Sequence, residues 1–210
     1  MSEPDFETYA SYGVSRESFE RLLILEQQLL KWQARINLIS PSTISDLWRR
    51  HIEDSLQLLP LIDGRVDSIA DLGSGGGFPA LVLAATQPAT VHMYEANGKK
   101  AAFLKDALRQ MKTKGQVHRE RLEPFIDQLD IPKVQIVTAR AFAPLNHLLA
   151  LAEPFFKRGA IGLFHKGQDV DAELNQAAKT WKISYTKHPS SIDSQSVILE
   201  VKEIIHVSAK

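Results

Sequence analysis

The sequence predicts an α/β protein: a mostly parallel seven-stranded sheet with helices on both faces, preceded by a helical extension. From residue 68 onward, short apolar runs alternate with helical periodicity, which implies right-handed strand–helix–strand crossovers. Four glycines, Gly73, Gly75, Gly76 and Gly77, sit between the first apolar run and the next helix. Open parallel sheets hold nucleotide-like ligands at that position. The first third of the chain shows helical spacing only.

From Ser15 to Ile36 the residues Leu22, Leu25, Leu29, Trp32 and Ile36 recur three and four apart, with Glu20, Arg21, Gln27 and Lys31 on other faces. That is the pattern of an amphipathic helix. A loop from Asn37 to Ser42 contains Pro41, and a second helix from Ser45 carries Trp48, Ile52, Ser55 and Leu59 in one stripe until Pro60 ends it. Strands follow at 68–72, 91–95, 116–119, 135–139, 160–165, 182–187 and 196–205, and helices at 79–86, 98–113, 144–156 and 169–180. Only the polar loop His188 to Gln195 separates the last two strands, so they read as a hairpin with one strand antiparallel. The change of pattern divides the chain into an N-terminal helical segment, 1–64, packed on a ligand-binding domain, 65–210, the two forming one compact unit.

Of the 210 residues, 44% are hydrophobic and 24% charged, enough for one buried core. The lack of cysteine excludes disulfides, thiolate zinc sites and cysteine nucleophiles. No histidine pair has a metal-ligand spacing, so no metal site is predicted. The start MSEPDFETYASYGVS is acidic and polar where an export signal is basic and then apolar, and no apolar run reaches ~18 residues. A cytoplasmic protein with no membrane partner is the expectation. Basic and acidic residues number 25 each, so any nucleic-acid surface must be local.

In Ala70-Asp-Leu-Gly-Ser-Gly-Gly-Gly-Phe-Pro79 the glycines permit positive φ and close approach of backbone to a ligand, beyond what a turn alone requires. Gly75-x-Gly77-x-x-Ala80 fits the dinucleotide fingerprint with alanine last, and Glu95 follows Gly75 by 20 residues. A nicotinamide-dependent oxidoreductase is therefore one reading. Against it, Pro79 removes an amide donor that a pyrophosphate would use, Asp71 stands where it would meet a cationic amino acid, and no Tyr-x-x-x-Lys relay is present. S-adenosylmethionine has the ribose diol without the phosphates, so Glu95 would serve either cofactor by accepting from both hydroxyls.

Further segments follow in order: Lys99 to Leu104, Arg121-Leu-Glu-Pro-Phe125, Thr138-Ala-Arg-Ala-Phe142 and Lys166-Gly167. With the glycine loop, Trp32-Gln-Ala-Arg-Ile-Asn-Leu38 and Arg50-His-Ile-Glu-Asp-Ser55, they resemble the bacterial small-subunit ribosomal RNA methyltransferase G family, also called the glucose-inhibited division protein B family, over roughly residues 22 to 170. The resemblance implies a Rossmann-like class I methyltransferase fold and transfer of a methyl group from S-adenosylmethionine to N7 of a guanine in 16S ribosomal RNA. It implies a monomer acting on that RNA or on the small ribosomal subunit. By the same resemblance the cofactor lies over Gly73 and Phe78, with Glu95 on the ribose, Leu122 and Glu123 beside the adenine, and Arg140 closing the site. Ala80 departs from the family's usual glycine, a change that the first turn of a helix accommodates. A methyltransferase acting on another acceptor remains a second reading.

Guanine N7 is already a nucleophilic lone pair, so attack on a sulfonium methyl requires alignment and no general base. No catalytic residue is predicted beyond Arg140 as a substrate-positioning group. A guanidinium at the end of the fourth strand would donate to guanine O6, contact a phosphate or hold the methionine carboxylate, and all three stay open. From Lys99 to Arg121 there are eight basic residues against two acids, an excess of six. Lys99, Lys100, Arg49, Arg50 and Lys166 are the candidates to face RNA, with solvated or structural roles as the plainer alternatives. His51 and Asp54 are expected to pair at helical spacing and to hold the two segments together.

Overall fold

The computed structural model describes residues 4–62, 66–122 and 131–207. Two helices open the chain, α1 (Phe6–Ala10) and α2 (Arg16–Gln33). Ser15 caps α2, its Oγ accepting from the Ser18 amide at 3.1 Å. Leu22, Leu25 and Leu29 are fully buried along α2, as their spacing requires. α1 is too short to show a period, and it is held by an aromatic cluster in which Tyr9 meets Phe19 and Trp48. Helix α2 ends three residues before Ile36 because Gln33 turns back on the chain. Its Oε1 accepts from the Leu38 and Ile39 amides at 2.8 and 3.1 Å, and its Nε2 donates to the Ile39 carbonyl at 2.9 Å.

The second expected helix is not one continuous α-helix. Pro41–Asp46 is a 3-10 segment, Trp48–Glu53 a π turn, α3 (Asp54–Leu56) a single α turn, and Leu59–Leu61 another 3-10 turn. Ser55 Oγ donates to the His51 carbonyl at 2.6 Å inside the widened turn. Such an insertion re-aims side chains and is common at functional sites. Here it directs His51 and Asp54 at one partner, as described below.

The remainder alternates as expected: β1 (Ser68–Leu72), α4 (Ala80–Thr86), β2 (Thr90–Tyr94), α5 (Gly98–Met111), β3 (Gly115–His118), β4 (Ile136–Arg140), α6 (Leu145–Phe156), β5 (Ile161–Lys166), α7 (Val170–Ala177), β6 (Trp181–Pro189) and β7 (Val197–His206). The seven strands lie in the order β3-β2-β1-β4-β5-β7-β6. β7 runs antiparallel to β5 and β6, and the other pairings are parallel. Alternate residues bury on opposite faces. Ile69, Val91, Met93, Ile136 and Leu163 pack with α2, α4 and α5, while Ala70, Leu72, Tyr94, Val137 and Phe164 pack with α6 and α7. The first of these cores also contains Leu47, Ile52 and Leu56 from the N-terminal segment. The boundary drawn at residue 64 lies outside the described residues. No helix is long and apolar enough to cross a membrane among the described residues.

The strand order reverses between β1 and β4, which pair with Asp71 opposite Thr138. Their following loops diverge at that point and open a crevice at the carboxyl ends of the strands.

Candidate active site

The glycine loop connects β1 to α4, and Gly73, Gly75 and Gly77 have positive φ angles of 69°, 53° and 85°. Three of its glycines, Gly73, Gly76 and Gly77, have neighbours too close for a Cβ. A Cβ built at Gly73 would overlap the Phe142 ring, and one at Gly76 would lie 2.7 Å from the Leu38 carbonyl oxygen. The Ser74 amide donates to the Tyr94 carbonyl at 3.0 Å, tying the loop to β2. Glu95, just past β2, fixes the loop further: Oε2 accepts from the Gly75 amide at 2.8 Å and Oε1 from the Asn97 amide at 2.7 Å. Asn97 in turn caps α5 by accepting from the Lys99 and Lys100 amides.

These groups line a cavity of about 530 Å³ whose wall includes Gly73, Gly75, Phe78, Glu95, Lys100, Leu122 and Arg140. Leu38 and Ile39, delivered by the Gln33 clamp, close its other side. Asp71 does not line the cavity. Its carboxylate is sealed beneath the loop, 1% exposed, where Oδ1 accepts from Thr138 Oγ1 at 2.7 Å and Oδ2 has no hydrogen-bond partner among the described residues. Burial raises its pKa to about 6, against the Ser74 and Thr138 hydrogen bonds, which lower it.

A second cavity of about 600 Å³ shares the wall Arg140–Ala143 with the first and extends to Arg50, His51, Asp54, Lys166 and the turn joining β6 to β7. Arg140 is the joint between the N-terminal segment and the sheet. It donates to the Arg50 carbonyl at 3.1 Å, to Asp54 Oδ2 at 3.0 Å and to His51 Nδ1 at 2.7 Å, and its guanidinium lies 5.2 Å from the Phe78 ring centroid. Because a guanidinium only donates, His51 Nδ1 must be the unprotonated nitrogen. The ring proton then sits on Nε2 and is donated to Thr43 Oγ1 at 2.8 Å, while Thr43 donates to the Ser40 carbonyl at 2.8 Å. Burial first, and the Arg140 charge second, lower the His51 pKa to about 4. His51 and Asp54 do not pair with each other as their spacing suggested; each instead bonds Arg140 and so ties the N-terminal segment to the sheet. The π turn brings both onto Arg140.

Comparison with known proteins decides the assignment. The family described as GidB, rRNA small subunit methyltransferase G, matches residues 18–198. Proteins named ribosomal RNA small subunit methyltransferase G from Brucella ovis and Brucella suis are each 44% identical over 196 residues, covering 91% of both chains. The chain belongs to the rRNA small subunit methyltransferase G family. Solved structures show the same fold at low identity. An O-methyltransferase from Bacillus cereus in complex with SAH is 17% identical with a TM-score of 0.58, covering 85% of this chain and 90% of that one. TrmK from M. capricolum with S-adenosylhomocysteine is 12% identical with a TM-score of 0.52, covering 71% and 67%. The methyltransferase therefore has the class I S-adenosylmethionine-dependent fold, and the nicotinamide reading falls.

The donor set of the first cavity suits S-adenosylmethionine. Each Glu95 oxygen spends one acceptor site on a loop amide and keeps another for a ribose hydroxyl. The unpartnered, buried Asp71 Oδ2 adds negative potential beneath a site for a cationic ligand. Leu38, Ile39 and Leu122 supply apolar wall. Of the residues anticipated from sequence, Gly73, Phe78, Glu95, Leu122 and Arg140 come together here, and Glu123 lies outside the described residues. The anticipated RNA-facing cations separate. Lys100 lines the first cavity, whereas Lys99 lies in a shallow groove with Trp32, Arg35 and Arg119. Arg50 is exposed at the second cavity, and Arg49 donates to the Ile192 carbonyl at 3.4 Å. Lys166 is buried, its Nζ donating to Glu173 Oε2 at 2.6 Å and to the Ala143 carbonyl at 3.0 Å, which braces the β4–α6 loop. Sequence reasoning missed three contributors: Leu38 and Ile39, which read as loop, and Phe142, whose exposure carries no sequence signal.

Proposed function

We propose that this methyltransferase moves the methyl group of S-adenosylmethionine to N7 of a guanine in 16S ribosomal RNA. The observation that carries the reading is the pair of adjoining cavities, which share the wall Arg140–Ala143 at the carboxyl ends of the strands in a chain of this family. The first suits the cofactor, with Gly73, Phe78, Glu95, Leu122, Arg140 and, in the same chain segment, Glu123 as its binding residues. The second suits the acceptor base.

When bound, the cofactor supplies an electrophilic methyl group on a sulfonium. The protein's task is then to hold N7, methyl carbon and sulfur in line and to exclude water. Attack by the N7 lone pair asks no carboxylate to take a proton, and the carboxylates around the second cavity are held by structural partners. Asp54 takes Arg140 and Gln57, Glu173 takes Lys166 and the Leu145 amide, and Asp193 takes Ser196 and the Gln195 amide. Arg140 is a positioning residue that fixes the wall between the cavities, with three of its five N–H donors bonded to the N-terminal segment. Arg49, Arg50, Lys99 and Lys100 are the cations offered to phosphates, whereas Lys166, buried and paired with Glu173, is held as a brace. The protein works as a monomer in the cytoplasm, its N-terminal segment and sheet acting as one unit.

The test is transfer of labelled methyl groups to small subunits, and to naked 16S RNA, from a strain lacking the enzyme, with the product base identified by mass spectrometry. The expected product is N7-methylguanine. Cofactor binding by calorimetry without transfer to either substrate would overturn the acceptor.

A further inference from the structure

We infer that Phe142 is the face on which the acceptor guanine stacks. The inference rests on the function proposed above and deepens it. Four large hydrophobic residues are exposed among the described residues, and three of them, Tyr185, Ile205 and Val207, belong to the β6–β7 end of the sheet. Phe142, 39% exposed, is the exception, standing in the wall that the two cavities share. The other Phe and Tyr side chains lining these cavities, Phe78 and Tyr94, are buried against His51 and His118 respectively.

The backbone is arranged to put the ring there. Ala141 has φ +49°, a conformation that a residue with a Cβ rarely adopts, and the chain turns at that point directly off the end of β4. The turn directs Phe142 across the crevice onto Gly73, whose lack of a Cβ makes the space for it. Lys166 braces the far side of the same turn by donating to the Ala143 carbonyl at 3.0 Å.

Stacking suits this acceptor atom. The N7 lone pair lies in the plane of the purine, so a ring against the base face fixes the plane while leaving N7 open to in-line attack. RNA bases read outside a helix are commonly held on aromatic side chains in this way. The other planar group at the wall, the Arg140 guanidinium, is already committed to Asp54, His51 and the Arg50 carbonyl.

The experiment compares wild type, Phe142→Leu and Phe142→Tyr as full chains. Calorimetry gives the S-adenosylhomocysteine Kd, and methyl transfer to small subunits from a strain lacking the enzyme gives kcat and KM. For Phe142→Leu the expected result is a cofactor Kd within about twofold of wild type and kcat/KM for subunits reduced roughly 5- to 150-fold, with Phe142→Tyr recovering most of the loss. Wild-type rates in Phe142→Leu overturn the inference. So does a loss of cofactor affinity that matches the loss of transfer, which would make the ring a cofactor wall. If the wild type methylates no guanine, the function proposed above fails and the inference falls with it, a result separable from a defect confined to the variants.

Discussion

His51→Gln tests whether a neutral, proton-directing histidine joins the N-terminal segment to the sheet. In the folded chain the His51 pKa is about 4, against an ordinary value of 6.5. Between these values the unfolded chain binds the proton more readily than the folded one, so stability falls as pH drops below 6.5. The full span corresponds to about 3 kcal/mol, of which about 2 kcal/mol is lost by pH 5. Asp71 has the opposite sign: its pKa is raised to about 6, so the folded chain gains relative stability as pH falls through that value. Wild type alone would show the two slopes partly cancelling. The variant keeps the Asp71 slope, so the difference between the two proteins isolates His51. Gln also retains a donor for Thr43 and an acceptor for Arg140. Urea unfolding at pH 7, 6 and 5 should therefore show the stability difference, wild type minus variant, shrinking by about 2 kcal/mol across the series. A difference constant to within about 0.5 kcal/mol would refute the assignment of His51 as neutral and buried.

Asp54→Asn leaves the Arg140 guanidinium, 17% exposed, without its counter-charge. A cost of about 2–4 kcal/mol should lower Tm by roughly 5–15 °C in a thermal melt, whereas Lys187→Ala, at an exposed ion pair, should leave it nearly unchanged. Glu95→Gln removes the charge that holds the glycine loop and weakens S-adenosylhomocysteine binding by about tenfold or more in calorimetry. An unchanged Kd would remove Glu95 from the cofactor site. Gly76→Ala places a Cβ 2.7 Å from the Leu38 carbonyl oxygen, on backbone that Gln33 clamps. The expected cost is about 1–3 kcal/mol of stability by urea titration together with weaker cofactor binding.

The parallel sheet was legible because its signal is local and repeated: buried strands such as Ile69 to Leu72 are apolar at every position but Asp71, and turns with glycine or proline punctuate them. The glycine loop and Glu95 were legible because close approach of backbone leaves a compositional trace. The N-terminal segment was harder. The stripe Trp48, Ile52, Ser55 and Leu59 reads as one α-helix, yet the tertiary demand that His51 and Asp54 reach Arg140 is met by a π turn with no compositional mark. Lys166 read as a cation for RNA, and only the register of β5 against β7 and its contact with Glu173 show it to be buried. Phe142 was quoted within a motif, but its exposure follows from a positive φ at Ala141, a residue type that gives no warning of it.

The Gln33 clamp makes the order of one short stretch a reporter on occupancy. It presents Leu38 and Ile39 as a wall of the cofactor cavity while their amides and the Ile39 carbonyl are bonded to a single side chain of α2. Any ligand that binds only the assembled cavity stabilises all of its walls in proportion to saturation. Amide hydrogen exchange at residues 38 and 39 should therefore slow as cofactor is added, far along the chain from the glycine loop. The helical extension is thus thermodynamically part of the ligand site and would register cofactor supply before any RNA arrives.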